Sequence, residues 1–518
     1  MIKSISRVGG FTLLSRLFGF VRDLLMTRYL GAGMASDAFV IAFKLPNFFR
    51  RLFAEGAFTV GFVPLFARAL GKEISTESQQ AAEAFAGRVL SWLLPILLVF
   101  LVIMEMSMVP VMFGLTGGFE GDTQKFDFVV ELGRYTFPYL VLISLVSFFS
   151  GMLNALGRYS AAAFAPVILN IVMIAALLFY GGDSIEAARA LAIAVSVAGT
   201  SQLIWLWVAA HRAGIRLKLT PPKLSPDVKE MLILIGPAAI GAGVMQINVF
   251  IDVLLAARFL PEGSVSWLFF ADRLNQLPLG VIGIAVGTVL LPSISRLLAA
   301  KDYDHANLQQ NRALEFSLFL TLPAAVALAV IAEPIISTLF ERGAFLQADT
   351  YATASALVVY AFGLPAYVIA KALTPGYFAR KDTRTPVRFA VISLIINTTL
   401  NLILIQYWQH VGLAAATAIA AWVNAGLLYH GLAKKGHLTL MISTKIRIAK
   451  CSVASVLMGA VVWALHDALA DSFLTDGNGR IVALGTIVAG GLVAYLLASV
   501  LMRSVTLAEL KGFLGRSS

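Results

Sequence analysis

The side chains best suited to chemistry in this 518-residue chain stand between positions 16 and 55: Arg16, Arg22, Asp23, Arg28, Asp37, Lys44, Arg50, Arg51 and Glu55. The segments that carry them are otherwise as apolar as membrane-spanning helices. A lipid-facing Arg at a helix centre costs roughly 2.5–3.5 kcal/mol even on the milder insertion scale. A chain that keeps so many charges in such segments pairs them or turns them toward a water-filled cavity. Guanidinium is also the group that grips phosphate bidentately, so a cavity lined by these arginines suits a polyanion. A second charged pair, Asp272 and Arg273, lies far downstream. Asp252 is a lone carboxylate in MQINVFIDVLLAARFL. With Asn397, Thr398 and Asn401 it forms a candidate cation or proton site, since carboxylate and amide oxygens suit a hard cation. Each set has a plainer reading: structural ion pairs, side chains that snorkel to the interface, or polar groups that tie helices together. Arg28, at the end of its apolar run, is read as snorkelling, and Gln202, Gln246 and Asn424 as interhelical ties.

The elements that must hold these residues follow from composition. The chain is 59% apolar and only 13% charged, against about 25% charged in soluble domains, which implies a polytopic all-α membrane protein. The net charge of +11 would suggest nucleic acid in a soluble protein. Here the basic residues outside the core gather in short loops, so no nucleic-acid partner is expected. The single cysteine, Cys451, excludes an internal disulfide framework, and the six scattered histidines have no metal-ligand spacing. No metal is expected. The apolar run after Lys3 and Arg7 is broken by charge, with no small-residue cleavage site, so it is not read as a cleaved signal.

A span needs about 20 mainly apolar residues. Polar, Gly and Pro punctuation divides the chain into about fourteen spans. The first two, 8–31 and 36–70, hold the charged stretch, and 386–407 and 411–432 are separate spans. With the N-terminus in the cytoplasm, the loops on its side are 211–230, 379–388 and 433–450, all rich in Lys and Arg. The opposite loops, such as EGDTQK and LPEGS, are acidic or balanced. That alternation is the positive-inside pattern, and it places both termini in the cytoplasm.

The spans also repeat. Ser36, Asn47, Pro64 and Arg68 recur 228 residues later as Ser264, Asn275, Pro292 and Arg296. Pro138 and Asn170 recur as Pro365 and Asn397, offset 227. Two six-span lobes follow, 1–225 and 226–440, with two extra C-terminal helices and a cytoplasmic tail in 441–518. A parallel repeat of this kind is a transporter architecture whose substrate sits at the repeat interface. In that arrangement Arg16, Arg22, Arg50 and Arg273 line a cavity, with Asp23, Asp37, Asp272 and Glu55 as partial counter-charges. On an ideal helix Arg16 and Asp23 share a face and can pair. Asp37, Lys44, Arg51 and Glu55 also share one, although Pro46 should break or kink that helix.

Enzyme chemistry finds little support. The chain contains no HExxH, GxSxG or P-loop sequence, and no carboxylate pair stands out as general acid and base. No catalytic residue is assigned.

Several stretches are familiar. SRLFGFVRD (15–23), GAGMASDAFVIAFKLPNFFRRLFAEGAFTVGFVP (31–64), FAPVILN (164–170) and FFADRLNQLPLGVIGIAVGTVLLPSISR (269–296) closely resemble the MurJ (MviN) family of bacterial lipid II flippases. That family belongs to the multidrug/oligosaccharidyl-lipid/polysaccharide exporter superfamily. The resemblance implies two six-helix lobes plus two C-terminal helices associated with a groove for the lipid tail. It also implies transport of undecaprenyl-diphosphate-linked muropeptide from the inner to the outer leaflet by alternating access, in the bacterial cytoplasmic membrane. By motif, the family's cavity residues fall on Arg16, Arg22, Asp37, Arg50 and Arg273, with Asp23, Lys44, Glu55 and Asp272 as supporting charges. The helical wheel favours Arg51 where the motif favours Arg50. Some relatives carry an acid at the position of Gln276, so no charge role is assigned there. No cofactor is expected. Coupling to the membrane potential, sodium or protons is open, and enzymes of cell-wall synthesis are further candidate partners. The alternative within the superfamily is a cation-coupled exporter of polysaccharide-lipid or drugs, for which a net acidic cavity would suit a drug cation better.

Overall fold

The computed structural model describes residues 2–51, 58–71, 75–180, 182–218, 221–222, 224–473 and 477–505; side chains are described throughout these except at 2–7, 59, 120, 236–245, 248–249 and 281–289. Regular structure among them is entirely helical. The chain divides into two compact units, Met1–Ser266 with Arg342–Phe345, and Trp267–Glu341 with Leu346–Ser518. Counting spans puts a boundary at 225/226. Compactness puts it at 266/267, because the helix after residue 225 packs against earlier helices of the first unit.

The first unit holds α1 (Ile2–Leu30), α2 (Met34–Phe49), α3 (Phe58–Leu70), α4 (Thr76–Met106), α5 (Met108–Thr116), α6 (Thr123–Thr136), α7 (Tyr139–Ala155), α8 (Tyr159–Tyr180), α9 (Ser184–Arg212) and α10 (Pro226–Phe259). Helix ends are set by local chemistry. The Ser75 hydroxyl accepts the Ser78 N–H, and the Ser78 hydroxyl accepts the Ser75 N–H, closing a capping box at α4. The Asp122 carboxylate accepts the Lys125 N–H at α6. At the end of α1, Gly31 turns the chain with φ +65°, a conformation open to glycine without steric cost. The Arg28 carbonyl exposed there accepts the N–H of Ala344 at 2.9 Å. The short segment 342–345 therefore caps the C-terminus of α1, which is why it belongs to the first unit. A Phe58–Phe62–Phe66 ladder on α3, with Phe85 of α4 and Phe148 of α7, forms the aromatic core.

Of the two outcomes expected at Pro46, a break or a kink, the break does not occur; the helix runs through it to Phe49. Proline leaves the carbonyl four residues back without its helical donor. Here that carbonyl, on Ala42, accepts the Thr136 hydroxyl of α6 at 3.1 Å, a donor shared with the Gly133 carbonyl at 3.2 Å. A neighbouring helix supplies the bond that the sequence of α2 omits.

The second unit holds most of α11 (Ser264–Ala299), and α12 (Tyr303–Val330), α13 (Ala332–Phe340), α14 (Gln347–Phe378), α15 (Arg384–Lys434), α16 (Ile442–Ala468), α17 (Ala470–Phe473) and α18 (Gly477–Leu501). The two expected spans within α15 are distinct arms. The helical path breaks at Gln409, with φ 48° and ψ −128°. Ser393 then donates to the Ala420 carbonyl, and the Asn397 amide donates to the Thr417 hydroxyl. That register is an antiparallel hairpin. The turn before α15 is clipped by Asp382, which accepts from Lys435 at 2.8 Å and from the Thr385 N–H and hydroxyl. The Lys435 bond, aided by the Thr385 donors, holds the Asp382 carboxyl down at about 2. The C-terminal pair α16 and α18 packs together and onto α12 around Met458, Val462, Ile487 and Tyr495.

This is a polytopic all-α membrane protein. Nine helical stretches among the described residues are long and apolar enough to cross a membrane. The count of about fourteen is not reached on that criterion. The stretch around α1 is interrupted by charge, and α2 and α3 are short at 16 and 13 residues. Much of the side-chain content of α10 and α11 lies outside the described set.

Candidate functional site

The first unit gathers the N-terminal charges into two clusters. In the first, Arg22 and Asp23 of α1 are buried, at 6% and 3% exposure. Both Nε and Nη2 of Arg22 donate to the same Asp23 carboxylate oxygen, at 3.1 and 2.7 Å. Arg22 Nη1 donates to the Asn170 side-chain oxygen of α8 at 3.0 Å. The Asn170 amide in turn donates to the Ser15 carbonyl of α1 at 3.0 Å. The Asn170 side chain also lies against Gly19 of α1 at ordinary contact distance. The guanidinium beside Asp23 is thus that of Arg22, not Arg16 as the ideal wheel allowed. Adjacent residues point apart on a helix, yet Arg is long enough to fold back once Asn170 fixes its other edge.

Arg16 lies two turns earlier and is half-buried. It makes no hydrogen bond or ion pair among the described residues. A cation held partly out of water without a counter-charge is costly, and that cost is relieved when an anion binds. Arg28 is exposed and lies over the Tyr29 ring at 5.7 Å from its centroid.

The second cluster surrounds Asp37, in the first turn of α2 and 2% exposed. One carboxylate oxygen accepts the Gly263 N–H at 2.8 Å; the other accepts the Ser266 N–H and hydroxyl at 2.9 and 2.6 Å. Asp37 thereby caps the start of α11, where free N–H groups and the helix dipole favour an anion. Lys125 of α6, 7% exposed, stands 3.9 Å from Asp37 and 3.8 Å from Glu262, with its ammonium 4.6 Å from the centre of the Phe119 ring. Glu262 also accepts the Met34 N–H. In this conformation the Asp37 carboxylate is engaged by protein donors on both oxygens.

Arg50 and Arg51 close α2. Arg50 is half-buried and donates to the Asn47 side chain at 3.1 Å. Arg51 is exposed and reaches Gln246 of α10 at 3.4 Å. Lys44 is half-buried on the same helix. Glu55 lies outside the described residues. Asp252 is half-buried on α10.

In the second unit, Arg273 of α11 lies 5.1 Å from the centre of the Phe269 ring. The Gln276 amide donates to the Asp272 carboxylate. An acid at 276 would repel Asp272 one turn away, so the amide fits its neighbour. Asn397 and Asn401 are fully buried. The Asn401 amide donates to the Asn397 oxygen at 3.0 Å, and Asn397 donates to Thr417. These amides tie the two arms of α15. No group of three or more His, Cys, Asp or Glu side chains suited to a metal ion occurs among the described residues.

A family model described as lipid II flippase MurJ matches residues 26–477. The chain belongs to the MurJ family. It is 46% identical over 475 residues to the probable lipid II flippase MurJ of Rhizobium meliloti, covering 91% of this chain and 88% of that one. With the corresponding protein of Vibrio cholerae it shares 34% identity across 99% of this chain and 98% of the relative. Among solved structures, it matches a lipid II flippase MurJ in an inward closed conformation with TM-score 0.78 and 26% identity, covering 96% of this chain and 98% of that one. A MATE-family multidrug transporter in an inward-facing conformation matches with TM-score 0.66 at 16% identity, covering 84% of this chain and 98% of that one. That likeness shows the shared fold. MurJ is a transporter family and not a family of catalytic enzymes.

Lys125 and Asn170 are among the participants that escaped sequence reading. Lys125 sits in EGDTQK, which reads as an aqueous loop, yet its side chain is buried against Asp37. Asn170 was visible only as a repeat marker and as part of FAPVILN. Its role, bracing Arg22, needed the contact between α1 and α8.

Proposed function

We propose that this chain is a lipid II flippase that moves undecaprenyl-diphosphate-linked peptidoglycan precursor from the inner to the outer leaflet by alternating access. The protein lies in the bacterial cytoplasmic membrane with both termini in the cytoplasm, an orientation supported by the Lys and Arg content of loops 211–230, 379–388 and 433–450. The observation that carries the reading is Arg16, a half-buried guanidinium in α1 with no partner among the described residues, in a chain of the MurJ family.

The physical logic is direct. Diphosphate, sugars and peptide cannot cross hydrocarbon unaided, whereas a polyprenyl tail can stay within it. Arg16, Arg22, Arg50 and Arg273 bind the diphosphate-bearing head group, with Lys44 adding positive charge. Asn170 and Asp23 hold Arg22 in orientation, so little side-chain entropy remains to be lost when the anion arrives. Asp37 acts through the start of α11. The basic balance of this set disfavours a cation-coupled drug exporter.

The test is transport of a labelled lipid II analogue in proteoliposomes. Arg16→Ala, Arg50→Ala and Arg273→Ala should each insert and fold normally yet lower transport at least tenfold, about 1.4 kcal/mol per lost charge-assisted contact. Normal transport by all three variants would overturn the assignment of the head-group residues. Failure of the wild-type protein to move lipid II, with no other component required, would overturn the function itself.

A further inference from the structure

The first unit also holds a basic cavity that the charged residues of α1 and α2 do not line. A cavity of about 420 Å³ opens among α7, the start of α8 and the end of α9. It is lined by Arg158, Arg212, Ser160, Trp205, Leu153 and Val208, and no carboxylate borders it. Arg158 donates one bond, at 3.4 Å, to the Arg212 backbone carbonyl. Neither guanidinium has a carboxylate partner among the described residues. Two like charges share one wall with no counter-ion from the protein. The first turn of α8, a helix of 22 residues starting at Tyr159, presents free N–H groups and the positive end of its dipole to the same space.

The remaining wall suits a lipid. Trp205 and Tyr159 are partly exposed, as aromatic side chains are at a membrane interface. The Trp205 indole N–H donates to the Ala161 carbonyl at 3.1 Å and its ring packs against Phe164, so the ring is fixed. Leu153 and Val208 add an apolar floor. Basic pockets between transmembrane helices on the cytoplasmic side are the setting in which anionic lipid head groups bind.

We propose that this cavity binds the phosphate of an anionic diacyl lipid of the inner leaflet, with a small head group such as phosphoglycerol. Arg158 and Arg212 hold the phosphate, Ser160 and the α8 N–H groups complete its bonds, and Trp205 covers the first acyl carbons. A disaccharide-pentapeptide head group is too large for the cavity, so the site is separate from transport. Its placement in the inner leaflet rests on the orientation proposed above.

The experiment is native mass spectrometry of the full chain, titrated with phosphatidylglycerol or phosphatidylcholine, alongside lipid II transport. Wild type should favour phosphatidylglycerol at least tenfold. Arg158→Gln with Arg212→Gln should abolish that preference while lipid II transport in phosphatidylcholine vesicles is unchanged. Arg158→Lys with Arg212→Lys should keep part of the preference, which distinguishes lost charge from a damaged fold. Equal phosphatidylglycerol binding by the Gln variant would overturn the proposal, as would equal binding of the two lipids by wild type. Displacement by soluble glycerol phosphate at matched concentration would also overturn it, by assigning the site to a free phosphate ester; displacement by lipid II would assign it to the transported substrate. An impermeant thiol reagent on Arg216→Cys tests the orientation separately. Labelling only from outside the cell overturns the leaflet assignment and the proposed topology, yet leaves the binding result intact.

Discussion

At the scale of single residues, the charges in α1 follow different rules. Arg22 and Asp23 are buried as a pair and tied to Asn170, whereas Arg16 has no such support among the described residues. Breaking a buried pair by removing one partner typically costs about 3–5 kcal/mol, because an uncompensated charge remains; replacing both partners by apolar groups costs far less. Asp23→Ala should therefore lower the thermal unfolding temperature strongly in detergent. Arg22→Met with Asp23→Leu should recover most of the loss while transport stays low. Wild-type unfolding of Asp23→Ala would show that the pair carries no stability. The sequence announced that these charges needed partners. It could not name Asn170, which is 148 residues from Arg22 and meets it only because α8 packs on α1.

At the scale of elements, α2 shows how a local rule is overridden by a neighbour. Pro46 predicts a break or a kink, and the Thr136 hydroxyl removes the reason for a break by bonding the Ala42 carbonyl. Thr136→Val keeps the shape of the side chain and deletes that bond. It should destabilise the protein by about 1–3 kcal/mol, the usual cost of a buried carbonyl left unsatisfied. In a Pro46→Ala background the helix regains its own N–H donor to Ala42, so the same substitution should cost much less. Equal costs in the two backgrounds, measured by chemical unfolding, would refute this account. The continuity of α2 matters because it carries Asp37 at one end and Arg50 at the other. The reversal at Gln409 is the opposite case. Two apolar runs separated by a few polar residues were legible as two spans, and the hairpin bonds between 393 and 420 and between 397 and 417 agree.

At the scale of the whole molecule, we propose that the transport cycle draws on the membrane potential or an ion gradient. A membrane potential acts on uncompensated charge at about 2.3 kcal/mol per charge per 100 mV. Asp252 on α10 is the proposed ion-coupling carboxylate. The Asn397 and Asn401 amide nitrogens donate within α15, and Asp252 is the only carboxylate in the candidate set Asp252, Asn397, Thr398 and Asn401, so it is the group to test. Asp252→Asn should reduce transport and flatten its dependence on sodium or pH in proteoliposomes. An unchanged ion response would remove Asp252 from coupling.

Composition and apolar periodicity were enough to determine an all-α membrane protein with a basic stretch near its N-terminus. These are properties of periodicity and of transfer free energy, and they are written locally in the chain. The motifs then sufficed for the family. Only the tertiary structure decided which charges are already engaged. Asp37 meets the start of α11, Lys125 leaves a polar loop to join it, Arg22 is held by Asn170, and Arg16 is left without a partner among the described residues. Each outcome depends on contacts between segments far apart in sequence, and a charge carries no local mark of the partner that folding will bring to it.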